Sequence, residues 1–137
     1  MKLKLKTDSI YEVVYLSEID KNIERFVKKK KFKQLPLQIE ELEEKLSKGN
    51  FDNPPIWHSD NPVPYDVYKL RLPNPDANVG KLHGYRVVYA VVSHDFIVVL
   101  ITVYYKKEQT DVTEAYIRGL IDAYFLENTP IEDAEDE

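Results

Sequence analysis

Cysteine is absent from the 137 residues. That excludes a disulfide framework, a thiol nucleophile and any zinc site built on Cys ligands. Glycine occurs only four times, and neither a Gly-rich phosphate loop nor an HExxH pair is present. The three histidines, His58, His83 and His94, lie far apart in the sequence, so no metal centre is expected. Ser93-His94-Asp95 holds the residue types of a hydrolase triad. Triad groups converge from separated positions, however, so these three read as turn residues. Paired carboxylates of the kind a glycosidase uses are not visible. The longest mainly apolar run, Phe96 to Val103, is far shorter than the roughly 20 residues of a membrane helix. The first residues alternate Lys and Leu and lack the apolar block of a signal peptide. A soluble, cytoplasmic protein of one domain is the expectation.

Charge is unevenly spread. The formal net charge is −5, but Glu127 to Glu137 hold six acids and no Lys or Arg. Without them 18 acids face 19 basic residues. The sequence therefore reads as a near-neutral domain over residues 1–126 and an acidic, disordered tail over 127–137, an arrangement that still allows a local basic patch.

Ile10 to Leu16 alternates in the manner of a strand. Ser17 follows as a helix N-cap, with Ile19, Ile23, Phe26 and Val27 at helical spacing and Lys28 to Lys31 and Lys33 closing the helix as a solvated cationic run. Leu35-Pro36 opens a second helix with Ile39, Leu42 and Leu46 on one face and Gly49 as its stop. The two helices should form an antiparallel hairpin. Asn50 to Asp66 carries Pro54, Pro55, Pro62 and Pro64 and reads as a loop, with Trp57 as a lid over the core edge. Three strands follow, Val67 to Leu72, Tyr85 to Val92 and Phe96 to Tyr105. Short links make them an antiparallel meander, and the unbroken apolar character of the last suits the sheet centre. A final helix is expected near Asp111–Phe125, with Ile117, Leu120, Ile121 and Tyr124 as its stripe. The order is β-α-α-β-β-β-α, an α+β domain with helices mainly on one face of an antiparallel sheet.

The chemistry that remains is cationic. Alternation puts Lys69 and Arg71 on one face of the first meander strand, about 7 Å apart. Meander geometry brings the start of the second strand, with Arg86, beside the end of the third, with Lys106. Lys81 and His83 sit in the adjoining loop. Either these residues are a solvated sheet face, their stems covering apolar surface, or they grip phosphate. Tyr85, Tyr89, Tyr104 and Tyr105 interleave with them, as stacking on bases would require.

The segments Val67-Tyr68-Lys69-Leu70-Arg71-Leu72, Gly80-Lys81 and Gly84-Tyr85-Arg86-Val87-Val88-Tyr89 carry a resemblance, continued by Ile101 to Glu108 and Asp111-Val112. Over roughly Ile10 to Phe125 the chain resembles the RelE/ParE superfamily of type II toxin-antitoxin toxins, closest to its RelE-like branch. The resemblance implies a microbial-RNase-like fold and endoribonuclease cleavage of mRNA on the ribosome, hence translation inhibition. It implies no metal, no cofactor, no membrane association, and a small cognate antitoxin as partner. Lys69, Arg71 and Arg86 match basic positions of the family, and Lys106 stands where an arginine is usual. The stacking tyrosine falls at Val112, which leaves Tyr104 and Tyr105, with Lys81 and His83, as substrate-binding candidates. Under this reading Lys69 is the base, Arg86 holds the phosphate, Arg71 shares its charge and Lys106 assists the leaving oxygen. His83 is the runner-up for acid or base. Because the superfamily also includes ParE-like gyrase inhibitors, a non-catalytic binding module of the same fold is the alternative.

Overall fold

The computed structural model describes residues 9–51 and 54–128. Strand β1 (Glu12–Tyr15) leads into helix α1 (Ser17–Lys30), and α2 (Leu35–Ser47) follows after a four-residue turn. Then come β2 (Trp57–Ser59), β3 (Tyr65–Leu72), β4 (Tyr85–Val92), β5 (Ile97–Tyr105) and helix α3 (Glu114–Glu127). The five strands form one sheet in the order β1-β5-β4-β3-β2, with β1 parallel to β5 and every other neighbouring pair antiparallel.

The class is α+β, as expected, but four details differ. Strand β2 is an addition: the four prolines that argued for a loop all lie outside Trp57–Ser59, and that short stretch pairs with Tyr65–Val67. Ser17 is not a cap. Leu16 occupies the N-cap position, and no side chain bonds the free N–H groups there. Helix α3 starts three residues later than Asp111, where Thr113 accepts from the Tyr116 N–H as its cap. The helices also cover both faces of the sheet. Ile19 and Phe26 of α1 and Leu35, Ile39, Leu42 and Leu46 of α2 pack over Tyr85, Val87, Tyr89 and Val91 on one side. Ile117 and Ile121 of α3 pack over Val88, Ala90, Val92 and Val99 on the other. Covering both faces makes β4 wholly buried and β5 nearly so, which is why their sequences lack alternation. Each buried Val, Ile, Leu or Phe contributes about 1.5–3 kcal/mol relative to exposure.

One irregularity orients the site. Val88 faces Thr102, yet Tyr89 faces Leu100, so Ile101 is the extra residue of a bulge. Side-chain alternation changes parity there. Val99, Ile101 and Tyr104 all point to the α3 side, whereas Val98, Leu100, Val103 and Tyr105 point to the α1–α2 side. The acidic tail expected from residue 127 starts later than that, because Glu127 closes helix α3; residues 129–137 lie outside the described residues. The Lys-Leu alternation before residue 9 lies outside them too.

Candidate anion-binding cleft

The register places Arg71 of β3 opposite Arg86 of β4, and Arg86 opposite Tyr104 of β5. Two residues back on the same face, Lys69 lies opposite Val88. Beyond β5, the Lys106 N–H donates to the Gly84 carbonyl at 2.8 Å, which ties the end of that strand to the start of β4. These pairings gather Lys69, Arg71, Lys81, Arg86 and Lys106 around one open cavity of about 670 Å³ on the α3 side of the sheet. Pro54 and Ile56, just before β2, form part of its wall. The cations expected to converge therefore do so. His83 is exposed and is not among the residues lining the cavity.

Arg86 differs from the other four. It is only 5% exposed. Its Nη1 donates to the carbonyls of Lys81 (3.0 Å) and Tyr85 (3.2 Å), and its Nη2 to that of Leu82 (2.8 Å). No carboxylate among the described residues pairs with it. Arg86 thus fastens the 3-10 turn Lys81–His83 to the sheet and brings Lys81 to the cavity rim, with its remaining N–H groups left over. A buried guanidinium satisfied by neutral carbonyls keeps its whole charge, and that charge remains uncompensated at the cavity floor.

Asp111 is the acid that sequence reasoning missed. It sits in the loop between β5 and α3, with its side chain about half exposed. Its Oδ1 accepts from the Tyr104 hydroxyl at 2.8 Å and lies 3.2 Å from Lys106 Nζ and 3.7 Å from Lys69 Nζ. The Tyr104 hydrogen bond, followed by the Lys106 hydrogen bond and the charges of Lys69 and Lys106, holds the Asp111 carboxyl below its ordinary range. It is ionised at neutral pH, and one carboxylate serves two amines.

The two tyrosines proposed for stacking are not available. Tyr104 is 2% exposed, with its ring in the α3-side core and its hydroxyl on Asp111. Burial, followed by that carboxylate, raises its pKa. Tyr105 is 6% exposed and packs against Phe32 and Tyr85 on the opposite face. Neighbours on a strand cannot both face the same cleft, and here both faces are core. Compared with known proteins, the chain matches no family model, no curated protein and no solved structure.

Two surroundings behave as expected. The Lys28–Lys31 run is exposed. Lys28 pairs with Glu24, while Lys30 and Arg25 reach Glu108 at 2.6 Å and 3.7 Å. Trp57 covers the core edge, half-buried between Tyr65 (5.9 Å) and the Arg118 guanidinium (4.2 Å).

Beside Trp57, His58 holds the cleft-wall segment to β3. Its Nδ1 lies 2.8 Å from Asp66 and its Nε2 2.9 Å from Asp60. The hydrogen bonds to Asp60 and then Asp66 raise its pKa. A raised folded-state pKa contributes stability that is complete below the unfolded value of about 6.5 and is lost as pH rises through the folded value. His58→Gln should therefore remove the fall in melting temperature between about pH 6 and pH 8. A wild-type melting profile that is flat across that interval would overturn this assignment.

Proposed function

We propose that this protein is a metal-independent endoribonuclease of the RelE/ParE toxin kind, acting on mRNA at the ribosome and restrained by a small antitoxin. One observation carries the reading: five cationic side chains, from β3, β4, the residue after β5 and a flanking turn, surround one open cavity lined by a single carboxylate among the described residues. The phosphodiester backbone is the biological ligand that such a cavity suits. The order of elements supports it as well: apart from β2 it is the β-α-α-β-β-β-α order that the resemblance implies.

In this mechanism a ribose 2′-oxygen bonds to the adjacent phosphorus while the bond to the 5′-oxygen breaks. A cyclic phosphate and a free 5′-hydroxyl result. Arg71, Lys81 and Arg86 neutralise the negative charge that builds on the phosphoryl oxygens. The 2′-proton passes to Asp111, the ionised acceptor of the cleft, instead of to Lys69, whose amine is held by that same carboxylate. Lys69 then joins the charge-stabilising set, and Lys106 gives its proton to the departing oxygen.

Arg71 offers the cleanest test, being exposed and without a carboxylate partner among the described residues. Arg71→Ala should lower single-stranded RNA affinity about tenfold at low salt, reduce the salt slope by about one and leave the melting temperature unchanged. It should also suppress the new 5′-hydroxyl mRNA ends that wild-type expression generates. Unchanged affinity would remove the cleft from the argument.

The non-catalytic alternative has its own support: Asp111 neutralises two of the lysines, and Tyr104 and Tyr105 are buried. Growth arrest without new mRNA ends would favour it.

A further inference from the structure

Asp111 also lines a second, smaller cavity of about 360 Å³, between α1 and the start of α3. Its walls are chemically unlike those of the cationic cleft. Asn22, Thr102, Gln109 and Thr113 contribute uncharged hydrogen-bonding groups, Glu18 a carboxylate and Tyr116 an aromatic ring, while Arg25, also in the wall, lies 3.7 Å from Glu108 and over the Phe26 ring. Three of these walls are fixed by one atom. Glu18 Oε2 accepts from the Tyr116 hydroxyl (2.9 Å), the Thr102 hydroxyl (3.2 Å) and the Asn22 amide (3.4 Å), joining α1, β5 and α3. The Tyr116 ring is nevertheless 46% exposed. Glu18 Oε1, the Asn22 Oδ1 and the Gln109 side-chain amide have no partner among the described residues.

A rigid aromatic ring beside unpaired hydrogen-bonding groups, one residue away from a phosphate-binding cleft, fits a nucleotide that divides between the two cavities. We propose that the α1–α3 cavity takes the base of a nucleotide whose phosphate lies in the cationic cleft, and that it prefers guanine. The inference rests on the phosphate reading above and adds the base to it. The preference follows from the two unpaired oxygens on α1. Glu18 Oε1 and Asn22 Oδ1 only accept. Guanine presents adjacent N1–H and N2–H donors on one edge. Adenine, cytosine and uracil each place an acceptor next to any donor on that edge. The Tyr116 ring supplies stacking that any base can use, so the carboxylate supplies the discrimination.

The test uses the full chain and uridine pentamers carrying one central guanosine, inosine or adenosine, with binding measured at low salt. Guanosine should bind about tenfold more tightly than adenosine, with inosine, which lacks the N2 amine, in between. Glu18→Gln retains an oxygen for the Tyr116 and Thr102 hydroxyls. It should abolish the guanosine preference while leaving adenosine affinity and melting temperature unchanged. Tyr116→Ala should weaken all three pentamers about tenfold. Equal affinities for guanosine and adenosine, or a preference that survives Glu18→Gln, would overturn the base site and leave the cleft standing. Failure of all pentamers to bind would overturn both.

Discussion

Asp111→Asn should separate binding from chemistry, raising RNA affinity about fivefold at low salt while cutting cleavage about 10²–10⁴-fold. The two effects have opposite signs because the carboxylate has two electrostatic consequences. It cancels part of the field from Lys69 and Lys106, its neighbours at 3.7 Å and 3.2 Å, so its removal leaves a more positive cleft. Among the described residues it is also the only carboxylate lining the cleft, and thus the ionised proton acceptor the mechanism uses. Asn has nearly the same shape, and its carbonyl oxygen can still accept from the Tyr104 hydroxyl, so the buried phenol does not lose its partner. Fold disruption therefore does not stand in for lost chemistry. The acid limb of stability provides a check on the charge. A depressed carboxyl contributes stability that is present above its unfolded value, about 3.9, and is lost as pH falls through the folded value. The variant should lack that contribution. Cleavage undiminished in Asp111→Asn would return the base role to another group. A rise in both binding and cleavage would make Asp111 a brake instead.

How much of this was legible depended on whether the relevant geometry was periodic. β4 and β5 could be placed almost to the residue because burial on both faces leaves apolar runs interrupted only by Arg86 and Thr102. The meeting of Lys69, Arg71, Arg86 and Lys106 followed from two rules, alternation along a strand and adjacency in a meander, and the register of Arg71 opposite Arg86 obeys both. β2 was hidden because prolines crowd its flanks and the strand itself is only three residues long. Tyr104 and Tyr105 were assigned wrongly because their directions depend on the bulge at Ile101 and on α3 covering the second face. Neither shows in the period of the sequence. Asp111 comes from a loop, where no period constrains the side chain. The carbonyl cage around Arg86 depends on a 3-10 turn whose sequence, Lys81-Leu82-His83, carries no turn signal beyond the flanking glycines. Ser17 shows the limit of a local rule: a good capping residue stands at the helix start but one position too late to cap it.

The flanking glycines carry the second large effect. Gly84→Ala should destabilise the protein by about 3 kcal/mol, lower its melting temperature by about 10 °C and abolish RNA binding. The cause is steric, since Gly84 has an ordinary negative φ of −85°. A Cβ there would lie 2.2 Å from the Leu72 carbonyl oxygen, 2.8 Å from that of Gly80 and 3.1 Å from Pro73 Cα. All three are backbone atoms, so no side chain can swing aside to make room. The chain passes here between the end of β3 and the start of β4. The Gly84 carbonyl also receives the Lys106 N–H, so displacement of this residue shifts Lys106 relative to β4. The turn that Arg86 fastens through the Lys81 and Leu82 carbonyls begins three residues earlier, so Lys81 moves as well. Gly80→Ala is the matched control, because a Cβ at that position meets nothing within 4 Å. It should melt within about 0.5 kcal/mol of wild type and bind RNA normally. If Gly84→Ala melted normally yet lost RNA affinity, the close approach would matter to the cleft alone. If it retained both, the packing of β3 against β4 at the cleft floor would be looser than these distances require, and the rigid placement of Arg86 and Lys106 on which the mechanism depends would fail with it.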